Sequence, residues 1–219
     1  MNTPRLSALH KHYNQVAGQS LESLVSLSNN IFAFSMTLLV LEIRLPAHDP
    51  IHNDHDLFIA LHAMFPHVTT WLMSLLTLGI YWVGQQTQLN HLKHSNLRYA
   101  WIQLTFLAFV TAIPFSTRLL NEFIDYRLAL LIYWGNIFAL GMMVLISWNY
   151  SAKKDLLKSS VTKETFNSVN RRIVRAQILY ALGAALCLIN PYWSIGFIVI
   201  VQLNYALTPK IPFICELTA

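Results

Sequence analysis

The sequence predicts an all-α polytopic membrane protein with six transmembrane helices. Of its 219 residues, 55% are hydrophobic and only 11% are charged, whereas soluble domains carry about 25% charged residues. Apolar stretches long enough for a spanning helix, about 20 residues, recur at six places: 24–45, 58–83, 99–120, 127–148, 173–190 and 193–208. The predicted organisation is one six-span domain, residues 24–209, between an N-terminal tail, 1–23, and a C-terminal tail, 210–219.

The distribution of charge predicts the topology. Twelve of the fifteen basic residues lie in the two tails and in the loops 84–98 and 149–175. Because basic residues concentrate on the cytoplasmic side, both termini are expected in the cytoplasm, which agrees with an even number of spans. The net charge of +5 is assigned to this topology, and no nucleic-acid partner is expected. The N-terminal tail shows no signal-peptide pattern.

The first span begins with polar residues and continues as an apolar helix that ends near Glu42 and Arg44. Amide and hydroxyl groups inside a membrane helix are costly unless they face protein or water. The sequence therefore predicts that this helix packs inside an assembly or lines a water-filled path. At spacings of three, four and seven residues, which share one helix face, it carries the stripe Ile31, Phe34, Thr37, Leu38 and Leu41.

The later spans contain helix-breaking and small residues. Span two begins near Pro66, and span three contains Pro114, which is expected to break or kink its helix. Span four contains Gly135 and Gly141, which suit close helix packing. Spans five and six meet at a turn that contains Pro191. These positions predict where helices bend, approach each other and end.

Several motifs, in the same order along the chain, resemble those of the TMEM175-type potassium channels. Residues 31–43, IFAFSMTLLVLEI, follow the family stretch G-[VI]-F-A-I-A-x-T-L-L-V-L-[DE]-[IL] nearly position by position. The signature before it, Arg-x-x-x-Phe-Ser-Asp, has become Ser23, Leu27, Ser28 and Asn29, and the family's His-His pair in span two is Gln85-Gln86. Further matches are Pro66, Trp71, Ser74, Gly79, Tyr81 and Trp82, with residues 113–120 and 190–193.

The resemblance implies a homotetramer in the lipid bilayer, with a central pore lined by the first helix and K⁺ as the permeant ion without any other cofactor. It implies a pore constriction at Phe34, Leu38 and Leu41, with Thr37 beside them and Ile31 on the same stripe. Ser28 and Asn29 take the packing positions of the signature. Glu42 forms either an acidic outer mouth or an interfacial pair with Arg44. The expected location is the plasma membrane of a prokaryotic cell.

The function expected from these features is a potassium-permeable cation channel whose hydrophobic constriction acts as gate and filter. Selectivity for K⁺ over Na⁺ should be modest, because the chain has no T-V-G-Y-G loop to replace the hydration shell of an ion. One alternative is a proton-permeable pathway or secondary transporter. Its polar site would combine Ser28, Asn29 and Asn30 with His62 or His67. The other alternative is a non-conducting membrane scaffold.

Catalysis has no supporting residues, and no enzyme activity is expected. The chain shows no Ser/His/Asp or Cys/His constellation and no pair of carboxylates within a span. Histidines and aspartates of the outer loop have irregular spacing, so no metal site is assigned to them. No disulfide is expected between Cys187 and Cys215, which lie in different regions of the predicted topology.

Overall fold

The chain folds into helices, as the sequence predicts. The computed structural model describes residues 20–43, 51–187 and 191–206. Within these ranges there are seven α-helices, one short 3₁₀ helix and no β-strand. The helices are α1 (Leu21–Leu39) with the 3₁₀ turn Val40–Glu42, α2 (Asp54–Ala63), α3 (Phe65–Asn90), α4 (Leu97–Glu122), α5 (Arg127–Lys153), α6 (Lys163–Leu186) and α7 (Pro191–Ala206).

The five helices α3 to α7 form one bundle, and α1 packs across its α3 and α4 side. Helix α4 packs on α5, α5 on α6, α6 on α7, and α7 returns to α3. The shared core contains Phe106, Ile113 and Tyr133, all fully buried, and α1 contributes Phe32 and Leu39 to it. This arrangement leaves one side of α1 against the bundle and the other side without a neighbour in residues 20–43, 51–187 and 191–206.

Side-chain caps define the start of four helices. Ser20, Asn53, Asn96 and Thr162 each accept a hydrogen bond from the backbone N–H three residues later. Such caps satisfy one of the amides that an α-helix leaves free at its first turn. The cap at Thr162 begins α6 well before residue 173, where the sequence predicts the fifth span to start.

The number of spanning helices can be compared with the prediction of six. Among the residues that the structure describes, three helical segments are long and apolar enough to cross a membrane: Leu21–Glu42, Leu97–Glu122 and Arg127–Lys153. Helices α2 and α3 would make a fourth span together, but they meet at a bend of 45°, where Pro66 begins the new helix. Helix α6 is polar in its first half and α7 has 16 residues. Six spans therefore stay a prediction.

The break expected at Pro114 is absent. Helix α4 continues from Leu97 to Glu122 with Pro114 buried inside it. The hydroxyl groups of Ser116 and Thr117 both donate to the Ile113 carbonyl, at 3.0 and 2.8 Å. Packing of α4 against α1, α3 and α5 supports the helix where the proline removes one backbone donor.

The two glycines predicted for helix packing have different surroundings. A Cβ atom added to Gly141 would collide with the side-chain amide of Gln177, so this glycine leaves the space on α5 that the Gln177 side chain of α6 occupies. A Cβ atom at Gly135 would meet nothing within 4 Å. The packing role is thus observed at Gly141 and not at Gly135.

The turn after α3 is joined to the loop between α5 and α6. Leu92 and Leu157 form an isolated antiparallel β-bridge, and the Lys93 ammonium lies 2.7 Å from the Asp155 carboxylate. Hydrogen bonding and charge from Lys93 hold the pKa of Asp155 below its usual range. Both groups are largely exposed to solvent, so this ion pair contributes little to stability.

Candidate pore-lining face of helix α1

The predicted constriction residues lie on the side of α1 that has no neighbour among the described residues. Phe34 is 72% exposed, Leu38 47% and Leu41 61%. Thr37 is exposed between them. The opposite side buries Ser28, Phe32, Ser35 and Leu39. Three predicted constriction side chains and Thr37 therefore share a free surface, available to a pore, to lipid or to another subunit.

Ile31 differs from the other members of the predicted stripe. Its side chain is half-buried and packs against the hydrophobic core of the bundle. Spacing alone placed Ile31 with Phe34 and Leu38. In the fold, Ile31 lies at the edge of the free surface, next to the side of α1 that packs against the bundle.

The outer end of α1 is not a continuous α-helix. The α-helix ends at Leu39, and Leu41 and Glu42 belong to the 3₁₀ turn that follows. Ile43 is already extended. The α-helical part of the predicted first span thus ends at Leu39.

Glu42, the predicted outer-mouth residue, is half-buried. Its carboxylate interacts electrostatically with Arg118 at the end of α4. The same guanidinium forms a salt bridge with Glu122, with Nε 2.9 Å from the carboxylate. The alternative partner from the sequence, Arg44, lies outside the described residues. Glu42 therefore belongs to a small charged group at one end of α1.

The two signature residues Ser28 and Asn29 bind the end of α3. The buried Ser28 hydroxyl donates to the Gln85 carbonyl oxygen. Gln85 Nε2 donates to Gln103 Oε1 at 2.8 Å, and Gln103 Nε2 donates to the Tyr99 hydroxyl at 2.6 Å. This chain of neutral groups connects α1 to α3 and α4.

Asn29 is held by two donors from the same helix. Trp82 Nε1 donates to Asn29 Oδ1 at 2.9 Å, and Gln86 Nε2 donates to the same oxygen at 2.7 Å. From the sequence, Trp82 is identified only as a match to a family motif. Its hydrogen bond to Asn29 adds a positioning role for α1.

The expected contact of Ser28 or Asn29 with His62 or His67 is wrong. His62 lies on α2 and His67 in the first turn of α3. Helices α1 and α3 run in opposite directions in the fold, so the start of α1 meets the end of α3. The signal that pointed to the true partners was Gln85-Gln86, at the position of the family's histidine pair.

A metal site is not formed by the described residues, among which no three His, Cys, Asp or Glu side chains come together. In the outer segment, Asp56 accepts a hydrogen bond from the His52 backbone N–H at 3.1 Å, and the Asn53 side chain caps α2. His55 and Asp54 lie on the first turn of α2. His48 lies outside the described residues.

A second polar cluster, inside the bundle, was missed by sequence analysis. The Tyr81 hydroxyl donates to the Ile137 carbonyl at 2.9 Å and accepts from Gln177 Nε2 at 3.2 Å. Gln202, fully buried on α7, donates to the Thr77 hydroxyl at 2.6 Å. Two glutamines within apolar segments are the sequence signal that could have found this cluster. It joins α3, α5, α6 and α7.

Helices of spanning length with large exposed apolar side chains are typical of the class of α-helical membrane proteins. The family model described as "Endosomal/lysosomal potassium channel TMEM175" matches residues 23–114. These residues include the free face of α1 and its partners on α3 and α4. The resemblance to the TMEM175-type potassium channels that the motifs indicated is confirmed.

Relatives with this similarity are named as potassium channels. A potassium channel of Chamaesiphon minutus is 26% identical over 184 residues, which cover 82% of this chain and 90% of that protein. A potassium channel of Streptomyces collinus is 30% identical over 97 residues, 44% of this chain and 46% of that one. A third, from a Chryseobacterium species, is 22% identical over 194 residues, 85% of this chain and 93% of its own.

The fold also matches a solved channel structure. The crystal structure of a lysosomal potassium-selective channel TMEM175 homologue from Chamaesiphon minutus superposes with a TM-score of 0.75 at 24% identity. The match covers 85% of this chain and 96% of that chain. The two chains therefore share the arrangement of helices.

Proposed function

We propose that the protein is a potassium-permeable cation channel in which four copies of the chain place their α1 helices around a central pore. The observation that carries the proposal is the free face of α1. Phe34, Leu38 and Leu41 are exposed there, while the opposite side of the same helix is buried and hydrogen-bonded. The resemblance to potassium channels supplies the permeant ion and the membrane setting.

The constriction is the chemical centre of the proposal. Four phenyl rings from Phe34, with the leucines beyond them, form a narrow apolar passage that conducts only when it is wet. The Thr37 hydroxyl donates its proton to the Phe34 carbonyl at 2.8 Å. Its oxygen lone pairs stay available as cation ligands next to the constriction. This arrangement supports modest selectivity for K⁺ over Na⁺, since it offers fewer ligands than a cage of carbonyl groups.

The hydrogen bonds between α1 and α3 hold α1, and with it the constriction, in a fixed position. Ser28 and Asn29 are bound to Gln85, Gln86 and Trp82 of their own chain. None of these groups titrates between pH 4 and pH 9, whereas the histidines of the family pattern have an ordinary pKa of about 6.5. This attachment of α1 through Ser28 and Asn29 is therefore expected not to change with pH in that range.

The same contacts weigh against the secondary transporter. The substrate site of the transporter alternative combines Ser28, Asn29 and Asn30, whose polar groups would have to be free to bind a substrate. Ser28 and Asn29 already have partners within the subunit, which leaves Asn30 alone of the three. The channel therefore accounts better for these two residues than an alternating-access site does.

Removing the amide of Gln85 is expected to destabilise the attachment of α1. In the Gln85→Leu variant, the Ser28 hydroxyl loses its acceptor and Gln103 loses a donor inside the protein. Each unsatisfied buried group costs about 1–3 kcal/mol. The midpoint of thermal unfolding in detergent should fall clearly below that of the unsubstituted protein.

The matched control is Gln86→Leu, the same substitution one residue later. Gln86 is half-buried and its partner Asn29 is exposed, so water can replace the lost bond and the midpoint should fall less. Equal losses in both variants would contradict the assignment of the buried connection to Gln85.

Recordings from purified protein in planar lipid bilayers test the proposed function. A channel gives unitary current steps, and with K⁺ on one side and Na⁺ on the other the reversal potential reports their relative permeability. We expect discrete openings and a modest preference for K⁺. A smooth current that saturates at low ion concentration and never resolves into steps would favour the transporter.

A further inference from the structure

The free face of α1 carries a polar line beside the apolar one. Leu27, Phe34 and Leu41 repeat at intervals of seven residues, and so do Ser23, Asn30 and Thr37; all six are exposed. Seven residues are close to two helical turns, so each set forms a line along the helix. Phe34 and Asn30 lie about one turn apart at the junction of the two lines.

This face differs from exposed surfaces elsewhere in the bundle. On α5, the exposed side chains between residues 128 and 146 are all apolar: Leu128, Leu131, Ile132, Phe138 and Ile146. That composition is typical of a surface that contacts lipid. A carboxamide that contacts lipid chains finds no hydrogen-bond partner there, which is energetically costly. Asn30 therefore indicates that the face of α1 meets water or another polar surface.

The way Asn30 is bonded strengthens this conclusion. The exposed threonines of α4 have hydrogen-bond partners within their own helix: the hydroxyl groups of Thr105 and Thr111 donate to carbonyls of α4 at 2.9 and 2.8 Å. Within the described part of the chain the Asn30 carboxamide has no hydrogen-bond partner. Its oxygen and its two N–H groups are all available to a ligand.

Asn30 also borders an open pocket. A pocket of about 510 Å³ lies between the first half of α1 and the end of α3, and its walls combine Asn30, Glu22 and Lys158 with apolar side chains such as Leu21 and Leu89. Because the pocket opens to solvent, water reaches Asn30 there. The carboxamide is thus in contact with solvent on the N-terminal side of Phe34.

We propose that Asn30 is a specificity-determining residue: four Asn30 carboxamides form a polar ring on the N-terminal side of Phe34 and bind the cation where it gives up or regains water. This inference rests on the proposed tetrameric pore. The family stretch has glycine at this position, so the ring would be a feature of this chain. Asn30 lies four residues before Phe34, about 6 Å along the helix axis. A carboxamide oxygen there can replace a water ligand before the apolar passage.

The substitution Asn30→Asp tests the ring by adding four negative charges to it. Potassium conductance at 0.01 M salt should increase about tenfold, as charged clefts concentrate counter-ions by at least that factor. The gain should shrink strongly at 1 M salt, where the Debye length falls from about 30 Å to about 3 Å. The control is Asn167→Asp, which adds the same charges at an exposed position on α6 and should leave conductance unchanged.

A second variant tests the position without adding a charge during folding. The thiol of purified Asn30→Cys protein is modified with a cationic, water-soluble thiosulfonate, and mass spectrometry confirms the labelling. Modification is expected to abolish potassium flux, while the reagent leaves flux through the unsubstituted protein intact. Full labelling with unchanged flux, or equal conductance of the two aspartate variants, would overturn the ring. Absence of flux through the unsubstituted protein would instead overturn the proposed function and the ring with it.

Discussion

Replacing Phe34 by alanine is expected to increase potassium flux through the reconstituted protein at least about tenfold, the change that accompanies a barrier lowered by about 1.4 kcal/mol. Phe34 has the most exposed of the large apolar side chains on the α1 face, at 72%. In a tetramer its four rings would form the narrowest apolar section. Shortening them to methyl groups widens this section and lets water remain in it, which lowers the cost of moving an ion through.

The measurement is ion-gradient-driven flux into vesicles at equal protein content. The matched control is Phe115→Ala: Phe115 is 66% exposed, on α4 instead of α1, and its truncation should leave flux unchanged. Leu38→Ala should act in the same direction as Phe34→Ala. If Phe34→Ala and Phe115→Ala change flux equally, the constriction does not lie on this face of α1.

Replacing Phe32 by alanine is expected to cause a large loss of stability instead. Phe32 is 1% exposed, and its ring centroid lies 6.0 Å from that of Phe106. Truncating a buried phenylalanine costs about 3–5 kcal/mol, since the cavity left behind closes only in part. The midpoint of thermal unfolding in detergent should fall strongly, and the yield of folded protein should fall with it.

Phe34→Ala provides the comparison for this result. Phe32 and Phe34 lie two residues apart on opposite sides of α1, so the same substitution is compared at a buried and at an exposed position. Only the buried Phe32 ring contributes to the core. The unfolding midpoint of an isolated subunit should hardly change in Phe34→Ala. A larger loss in Phe34→Ala than in Phe32→Ala would mean that α1 is rotated relative to the bundle described here.

The free face of α1 could be predicted from the sequence because it depends on local properties. Helical spacing places Phe34, Thr37, Leu38 and Leu41 on one side, and the family stretch gives that side a role. The structure leaves these four exposed. Ile31 met the same spacing rule, yet it packs against the core. The width of a free surface depends on how closely α3 and α4 approach α1, and spacing within α1 contains no information on that distance.

Contacts between helices were harder to predict. Ser28 was paired with histidines at the wrong end of α3, since one polar residue can hydrogen-bond to many others and the sequence does not show which are neighbours. The predicted topology favoured the observed partner: since α1 starts and α3 ends on the same side, Ser28 lies at the level of Gln85 and not of His62 or His67. At Pro114 the local sequence led to the wrong expectation. Packing from three helices outweighs the tendency of a proline to break α4.

The most direct test of the central claim is potassium flux into liposomes that contain the purified protein, driven by a potassium gradient, with sodium and a proton ionophore as controls. The channel account predicts flux that depends on the protein, is weaker when Na⁺ replaces K⁺, and persists when the ionophore removes any proton gradient. Liposomes with folded protein that pass no more potassium than empty liposomes would contradict the claim that α1 lines a conducting pore.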